Sequence, residues 1–411
     1  MTKYFAALFL IGLMWADTVP AQDDWTGWLG PQRDGIARGV ELPDSLPDEL
    51  NERWSINVGT GYGSPLLVGD HVFQHARQND AEVLWCIRVD SGDVVWKQST
   101  PVPFKIGNGG EWHGKGPKAS PAYADGRVFT HSITSVLSAF DASSGRQLWQ
   151  RDLTKDFSAP YPYWGASASP VVAEGLVVLH LGGDDDGALF AFNAETGETV
   201  WRSGTEGASY SSPLIATIDG TEQVVQWNHQ SLVGVRLNDG QPLWSYPFPH
   251  VGSDQNMPTP TIIGSTIFLS GENRGAHGLS IENDGEVWSA KPVWHQDDVA
   301  LNMSSAIAYE GNVYGFSQYD RGRLFCLDPT SGEVRWTGPP RTGDNVMLLA
   351  ADGHIVALLD TGKLVVAEAT PDAYREVERY DVSDQPTWAP PVMLSDGVLI
   401  KDKDTLKRLA W

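Results

Sequence analysis

One sequence motif recurs along this chain: a short apolar segment typical of a strand, a polar turn ending in glycine, three further residues, and then a tryptophan. Tryptophans 149, 201, 244, 288 and 336 follow one another at intervals of 43 to 52 residues. Units of about 40–50 residues that each hold four short strands are typical of β-propeller blades. Copies of the motif end at Gly92/Trp96, Gly145/Trp149, Gly197/Trp201, Gly240/Trp244 and Gly332/Trp336. A copy that is one residue shorter ends at Gly285/Trp288, and a degenerate copy near Ala367–Tyr380 lacks both the glycine and the tryptophan.

A second sequence motif begins each unit. It consists of a small hydroxyl residue, which we call the opening residue, then proline and an apolar strand. The openings lie at Ser64, Ser120, Ser169, Ser212 and Thr259, with weaker versions at Ser305, Asn345 and Pro390. Apolar, β-branched runs bounded by Gly, Asp and Asn predict strands throughout. We therefore predict an all-β fold, an eight-bladed β-propeller of four-stranded antiparallel blades. Seven blades are the alternative, if the worn unit around 345–380 merges with a neighbour.

The two ends of the repeat region complement each other. The eighth unit stops one strand short at the C-terminus, while residues 52–57 supply an extra tryptophan-bearing strand before the first opening. Pairing these termini in one sheet closes a ring over residues 52–411 and removes strand edges that invite aggregation. Within the repeat, the glycine favours a turn with positive φ, and the tryptophan is interpreted as a packing group between blades.

The N-terminus has the pattern of a secretory signal peptide. Lys3 precedes the apolar run Phe5–Trp15, and small residues lead to a cleavage point after Ala21. The run is shorter than the roughly 20 apolar residues of a membrane span. We predict a signal peptide over 1–21, a leader segment over 22–51 and a periplasmic or secreted protein without a membrane span. A buried N-terminal helix is the alternative.

Charge and cysteine content exclude several function classes. The chain has 29 Lys and Arg against 52 Asp and Glu, a formal charge of -23 that disfavours nucleic acid and acidic lipid surfaces as partners. Its two cysteines exclude a disulfide framework and cysteine-rich metal sites. Cys86 and Cys326 occupy equivalent positions in blades that are far apart, so both are predicted to be free, buried thiols.

Residues 139–149, Ala-Phe-Asp-Ala-Ser-Ser-Gly-Arg-Gln-Leu-Trp, resemble the repeat of the pyrroloquinoline quinone (PQQ)-like β-propellers. That family includes quinoprotein alcohol dehydrogenases and BamB, the periplasmic propeller of the outer-membrane assembly machine. The resemblance covers about residues 52–411. The leader residues 28–35, Trp-Leu-Gly-Pro-Gln-Arg-Asp-Gly, also resemble the start of many secreted members.

The resemblance implies two different functions. A BamB-like protein is an exported, non-catalytic scaffold for an envelope protein or peptide, here expected to be a monomer. A quinoprotein dehydrogenase uses PQQ, an adjacent cysteine pair, a catalytic Asp, and Ca²⁺ held by Glu and Asn. The sequence has no adjacent cysteines, and it also lacks CxxCH, P-loop, GxGxxG and HExxH motifs. We therefore predict a binding scaffold with no cofactor and no catalytic residue, and keep as alternatives a PQQ- and Ca²⁺-dependent oxidoreductase or a carbohydrate- or small-ligand-binding module.

Candidate ligand-binding residues follow from propeller geometry. Links from a fourth strand to the next opening share a face with links between second and third strands, and two of the former, Ser99–Lys118 and Asp152–Ala168, are expanded. Aromatic and charged loop residues at one mouth of a channel are typical recognition groups. The predicted ligand-binding residues are Trp112, His113, Lys115, Lys118, Tyr163, Trp164, His229, Asn256, Arg274, Asn302 and Arg321. The triplet Asp184, Asp185 and Asp186 is a candidate cation site or, alternatively, a solvated hairpin.

Overall fold

The structure is a computed structural model that describes residues 24–252, 254–285 and 287–411. It consists of eight four-stranded antiparallel sheets. The only helices in these ranges are short 3₁₀ turns at Glu111–His113, Thr154–Asp156 and Tyr319–Arg321, none with the length or apolar character to cross a bilayer. The predicted signal peptide, residues 1–21, lies outside the described residues.

The strands follow the predicted repeat. Strand β1, Asn51–Asn57, belongs to the eighth blade. Blades one to four consist of β2 (Leu66–Val68), β3 (His71–Gln78), β4 (Ala81–Arg88) and β5 (Val94–Pro101); β6 (Ala122–Ala124), β7 (Arg127–His131), β8 (Val136–Asp141) and β9 (Gln147–Asp152); β10 (Val171–Ala173), β11 (Leu176–Gly182), β12 (Gly187–Asn193) and β13 (Thr199–Ser203); β14 (Leu214–Ile218), β15 (Thr221–Trp227), β16 (Ser231–Arg236) and β17 (Pro242–Pro247). Blades five to eight consist of β18 (Thr261–Ile263), β19 (Thr266–Ser270), β20 (Ala276–Asn283) and β21 (Trp288–Gln296); β22 (Ile307–Tyr309), β23 (Asn312–Ser317), β24 (Arg323–Leu327) and β25 (Val334–Thr337); β26 (Val346–Ala351), β27 (His354–Leu359), β28 (Lys363–Glu368) and β29 (Glu376–Asp381); β30 (Val392–Leu394), β31 (Gly397–Lys401) and β32 (Thr405–Ala410) with β1.

The first strands of the blades surround the central axis. First strands of neighbouring blades contact one another. For example, β6 contacts β10, and β18 contacts β22. Because the strands in a blade alternate in direction, links between second and third strands and links between blades lie on one side of the ring, which we call the loop face. The tight turns between first and second and between third and fourth strands lie on the other side, the turn face.

The ring is closed by the two ends of the repeat region. Strand β1 pairs antiparallel with β32, with Ser55 opposite Lys407, and forms the outermost strand of the sheet β1-β32-β31-β30. Residues 346–381 form a complete sheet of their own. The eight-bladed prediction is therefore confirmed, and the seven-bladed alternative is wrong.

The repeated tryptophan and glycine meet across five of the eight blade boundaries. The indole N–H of Trp149 in blade two donates to the Ala194 carbonyl of blade three at 3.1 Å. A Cβ on Gly197 would lie 2.6 Å from the same indole ring, so only glycine allows this contact, and its φ is +71°. Equivalent bonds to the turn of the next blade are made by Trp54, Trp96, Trp201, Trp294 and Trp336.

The fifth blade departs from the predicted pattern. Trp294, rather than Trp288, donates to the next blade at Pro329 and packs against Gly332. Strands β20 and β21 are eight and nine residues long, so their hairpin extends further and moves the packing position along the chain. Trp244 in the preceding blade consequently donates to Gln223 Oε1 within its own sheet, at 2.7 Å.

The blades pack through apolar faces made of alternate strand residues. One cluster joins blades two and three through Phe129, Leu137 and Phe190. Cys86 and Cys326 are fully buried in β4 and β24 and form no disulfide, as predicted. The ring is therefore a rigid frame that positions the loops.

Candidate functional site

The leader crosses the turn face of the ring. Trp25 exchanges two backbone hydrogen bonds with Leu67 in blade one, with N···O distances of 2.7 and 3.1 Å. Further along, Ala350 in blade seven donates to Gly35 and accepts from Ala37, both at 2.8 Å. These bonds fasten the leader to separate blades, so it covers this end of the central channel.

Arg33 anchors the leader inside the channel. Its guanidinium donates to the carbonyls of Pro170 at 2.7 Å and Ser169 at 3.1 Å, and lies 5.4 Å from the ring centroid of Trp28. Burial lowers the pKa of Arg33 to about 9. The bonds to carbonyl oxygens offset part of the cost of burying this cation.

The blocked channel leaves a central cavity of about 400 Å³ that opens toward the loop face. This volume falls in the usual range for small-molecule sites, about 300–1,000 Å³. Trp28 and Leu29 of the leader form its floor. The wall includes Tyr62, Trp112, His113, Lys118, Trp164, Ser169, Tyr210, Ser212, Thr259, Glu272, Asn302, Ser305, Asn345 and Trp388.

A ring of hydroxyl groups lines the lower wall and explains the opening motif. The backbone N–H groups of five successive opening residues each donate to the hydroxyl of the next blade's opening residue, at 2.8 to 3.0 Å. The series runs through Ser64, Ser120, Ser169, Ser212, Thr259 and Ser305. Since a hydroxyl can accept and donate at once, the ring joins blades and also offers donors to the cavity.

Aromatic side chains form one side of the mouth. Tyr62 stacks on Trp388 with centroids 5.5 Å apart, and His113 packs edge-on against Trp388 at 5.2 Å. Trp112 lies 3.8 Å from His113 and 5.5 Å from Trp388, and 64% of it is exposed. A fixed aromatic cluster thus carries a large apolar surface at the cavity entrance.

Burial shifts the pKa values of three titratable side chains in the cavity wall, Lys118, His113 and Tyr62. It lowers the pKa of Lys118 to about 8, and Lys118 Nζ donates to the Trp164 carbonyl at 2.8 Å. Burial, with repulsion from Lys118, lowers the pKa of His113 to about 4. Tyr62 Oη lies 3.1 Å from His113 Nδ1, and burial raises the pKa of Tyr62. At neutral pH this tyrosine–histidine pair is therefore uncharged and poorly suited to proton transfer.

Three buried polar atoms on residues that line the cavity have no partner among the described residues. They are Asn302 Oδ1, Asn345 Nδ2 and Trp388 Nε1. Buried polar groups are normally hydrogen-bonded. These three atoms are almost fully shielded from solvent, so they lie behind the surface of the cavity wall.

The structure brings together five predicted ligand-binding residues in the cavity wall: Trp112, His113, Lys118, Trp164 and Asn302. Tyr163 lies beside the wall, with its ring edge-on to Trp164 at 5.7 Å and its hydroxyl accepting from Asn108 N. Lys115 is exposed and does not line the cavity.

Three more predicted residues form a second cluster on the loop face. Asn256 donates to the carbonyls of Asn228 and His229, at 2.8 and 3.2 Å. Arg274 pairs with the Asp254 carboxylate and donates to Asn256 Oδ1 at 2.9 Å. These bonds hold loops together outside the cavity. Arg321 is exposed and likewise lies outside it.

The aspartate triplet directs its carboxylates to different partners. Asp186 accepts from Ser158 N and Oγ at 3.0 and 2.7 Å, and Asp184 accepts from Tyr163 N at 3.1 Å. Asp185 is exposed. Within the described ranges, no group of three His, Cys, Asp or Glu side chains is arranged to hold a metal ion.

The residues in the cavity do not fit a quinone site of the dehydrogenase type. Cys86 and Cys326 are buried in blades one and six, away from the wall. Glu272 and Asn302 line the cavity, but no aspartate does so in the part of the chain that the structure describes. The cysteine pair and acidic set implied by the dehydrogenase resemblance are therefore not assembled.

Sequence reasoning missed the aromatic wall residues Tyr62, Tyr210 and Trp388. Each lies two residues before an opening, as Lys118 does before Ser120. This position places a side chain at the axis just above the hydroxyl ring. Its recurrence is the sequence signal that would have identified the wall.

Comparisons with known proteins agree with the fold. A family model described as "Outer membrane protein assembly factor BamB" matches residues 87–338, more than half of the chain. BamB of Shewanella oneidensis is 24% identical over 262 residues, 60% of this chain and 60% of its own length. The tetrathionate hydrolase of Acidithiobacillus ferrooxidans is 26% identical over 223 residues, 47% of this chain and 42% of its own.

Among solved structures, the quinohemoprotein alcohol dehydrogenase of Comamonas testosteroni is similar with a TM-score of 0.69 at 15% identity, covering 94% of this chain and 80% of its own. At this identity the likeness concerns the fold alone, since one propeller frame serves many functions. The family assignment rests on the family model, which matches residues 87–338. The chain belongs to the PQQ-repeat β-propeller family described as outer membrane protein assembly factor BamB.

Proposed function

We propose that this protein is an exported, non-catalytic scaffold of the cell envelope, and that its central cavity receives a segment of a partner protein. The observation that carries the proposal is the one-ended cavity, closed by the leader and open on the loop face. A channel closed at its base presents one binding mouth. Similarity to an outer membrane protein assembly factor supports a partner in the envelope.

The chemistry of the wall favours a peptide segment. The cluster of Tyr62, Trp112 and Trp388 offers apolar surface to a side chain. The side chains of Asn302, Ser212 and Ser305 line the cavity, and amide and hydroxyl groups can accept from a backbone N–H or donate to a carbonyl. A peptide carries both groups on every residue except proline, so it satisfies acceptor and donor together.

The protonation states of His113 and Tyr62 do not support acid–base catalysis by this pair, whereas the pKa of Lys118 in the same wall is lowered to about 8. His113, with its pKa lowered to about 4, is a weak base, and the raised pKa of Tyr62 keeps its phenol protonated. Neither group is poised near neutral pH, where general acid–base catalysts operate best.

Co-purification from an envelope extract tests the proposal. We expect the wild-type protein to retain a defined partner, and Trp112→Ala to lose at least about nine-tenths of it, as for an aromatic hot spot. Val95→Ala, on the outer strand of blade one, is the matched control at an exposed apolar residue. Equal retention by the Trp112 variant and the control contradicts the proposal.

Addition of PQQ and Ca²⁺ tests the oxidoreductase alternative. We expect no quinone absorbance to remain with the protein after gel filtration, because the wall lacks the required donor set. Retained quinone together with dye-linked alcohol oxidation would replace the scaffold proposal with the enzymatic one.

A further inference from the structure

A second cavity, of about 420 Å³, lies off the axis between blades one and two. It is bounded by β4 and β5 on one side and by β7, β8 and β9 on the other. The expanded loops on the loop face adjoin it through Val102, Pro103 and Tyr161. Nothing in the proposed partner binding uses this inter-blade cavity, since it does not share lining residues with the central one.

The cavity exists because one packing position holds a serine. Ser138 pairs with Gln150, next to the pair Ala139–Trp149. In the other blades with a repeat tryptophan in the fourth strand, the same position holds a larger side chain: Trp85, Phe190, Val233, His277, Phe325 and Lys407. Among these seven blades, only blade two has a small residue at this position, and the space beside it is open.

Blade three shows what ordinarily fills this space. Phe190 lies between blades two and three, and the Arg202 guanidinium lies 5.5 Å from its ring centroid and 5.4 Å from that of Phe157. In blade two the corresponding cross-strand pair is Gln150 Nε2 donating to Ser138 Oγ at 3.2 Å. In blade three, aromatic rings stacked with an arginine fill this space, whereas in blade two polar side chains line it.

The free polar groups of this wall are neutral. The side chains of Gln98, Thr100 and Thr130 line the cavity and make no hydrogen bond to another described residue. Gln98 and Thr100 are two residues apart on β5, so they share one face. Further hydroxyls are contributed by Ser132, Thr134 and Thr154.

The two carboxylates at the cavity are already engaged. Glu82 accepts from Ile133 N at 3.0 Å and lies 3.2 Å from His75 Nε2. Asp152 accepts from Thr154 N and Oγ1, at 3.0 and 2.6 Å. Glu82 is thus held inside the protein, whereas Asp152 is exposed and uses only Oδ1 in these bonds. No lysine or arginine among the described lining residues is present to pair with an anionic ligand.

We infer that the inter-blade cavity is a binding site for a neutral, hydroxyl-rich ligand, specifically a neutral sugar. Amide and hydroxyl side chains match the donors and acceptors of a sugar ring, and Tyr161 and Phe140 supply apolar surface for its carbon face. The exposed Gln150 and Asp152 lie at its solvent side.

Isothermal titration and saturation-transfer NMR with D-glucose, maltose and N-acetylglucosamine test this inference on the purified full protein. We expect saturable binding of at least one sugar with a Kd below about 10 mM, within the range of weak specific binding. D-glucuronate, an anionic comparison, should bind at least about tenfold more weakly, because the carboxylates repel it.

Variants locate the binding. Ser138→Phe introduces the residue of blade three and should reduce sugar affinity at least about tenfold, whereas Ser138→Ala keeps the space and should stay within about threefold of wild type. Gln98→Ala/Thr100→Ala removes free polar groups without filling the cavity and should also lose affinity. It provides the same test should Ser138→Phe not fold.

Two outcomes overturn the inference: no saturable binding of any of the three neutral sugars, or equal sugar binding by wild type, the filled variant and the double variant. Trp112→Ala separates the two proposals, because it should weaken partner retention while leaving sugar affinity unchanged.

Discussion

At the scale of single residues, seven blades contribute a side chain to the central cavity from the position two residues before the opening. These side chains are Tyr62, Lys118, Ser167, Tyr210, Met257, Met303 and Trp388. In six of these blades the opening residue that follows carries a hydroxyl that joins neighbouring blades, whereas the residue two positions before it differs from blade to blade. The repeat therefore separates a structural position from a recognition position only two residues away.

The hydroxyl ring should be sensitive to loss of one oxygen. Ser212 Oγ accepts from Ser169 N at 2.9 Å in a buried setting. Ser212→Ala leaves that N–H without an acceptor and should lower the free energy of unfolding by about 1–3 kcal/mol. Ser212→Thr should retain most of the stability, because Thr259 serves the same role one blade later. Urea denaturation measures both, and equal losses for the two variants contradict the role of the hydroxyl.

A buried histidine should make the fold sensitive to acid. Burial lowers the pKa of His180 to about 3, against about 6.5 in an unfolded chain. Below about pH 6.5 only the unfolded state takes up this proton, so stability falls with pH by up to about 1.4 kcal/mol per unit until the folded pKa is reached. His180→Leu should flatten this dependence in urea titrations between about pH 6.5 and 4. Leu179→Met controls for altered packing, and an unchanged slope in the His180 variant contradicts the prediction.

At the scale of elements, five of the turns between third and fourth strands hold a glycine against the tryptophan of the preceding blade. Gly197→Ala places Cβ against the Trp149 ring, whereas Gly175→Ala has a similar φ of +72° and nothing within 4 Å of the added atom. Both variants incur the backbone cost of about 1 kcal/mol, and the first should lose a further 1–3 kcal/mol or so through overpacking. Denaturant midpoints of the two variants measure the difference, and equal losses contradict the fit.

Sequence periodicity was sufficient to predict these elements and their closure, because the same short-range turn chemistry is repeated in each blade. It was insufficient in blade five, where a longer hairpin moves the packing role from Trp288 to Trp294. The central cavity was predicted only from its loops. Trp28 and Arg33 were recognised as part of a family-like leader, but their position in the channel depends on contacts with residues over 130 positions away.

At the scale of the whole molecule, closure joins residues from opposite ends of the chain. Ser55→Cys/Lys407→Cys places two thiols on directly paired strands. We expect an intramolecular disulfide by peptide mass analysis and a gain of about 4–5 kcal/mol on oxidation, as estimated for loops longer than 100 residues. The pair Ser55→Cys/Asp381→Cys, in different blades, should not cross-link. Failure of the first pair to form the bond argues against the closing sheet.

The closed ring gives the two faces different roles, with the leader covering one end of the channel and recognition groups surrounding the other. In the function proposed here, the partner binds at the loop face. Site-specific photo-crosslinking tests it, with benzoylphenylalanine at Trp112 on the mouth or at Ser143 in a turn-face hairpin, each in an envelope extract. We predict one defined adduct from position 112 and none of that mass from position 143. The same adduct from both positions, or from position 143 alone, contradicts the account.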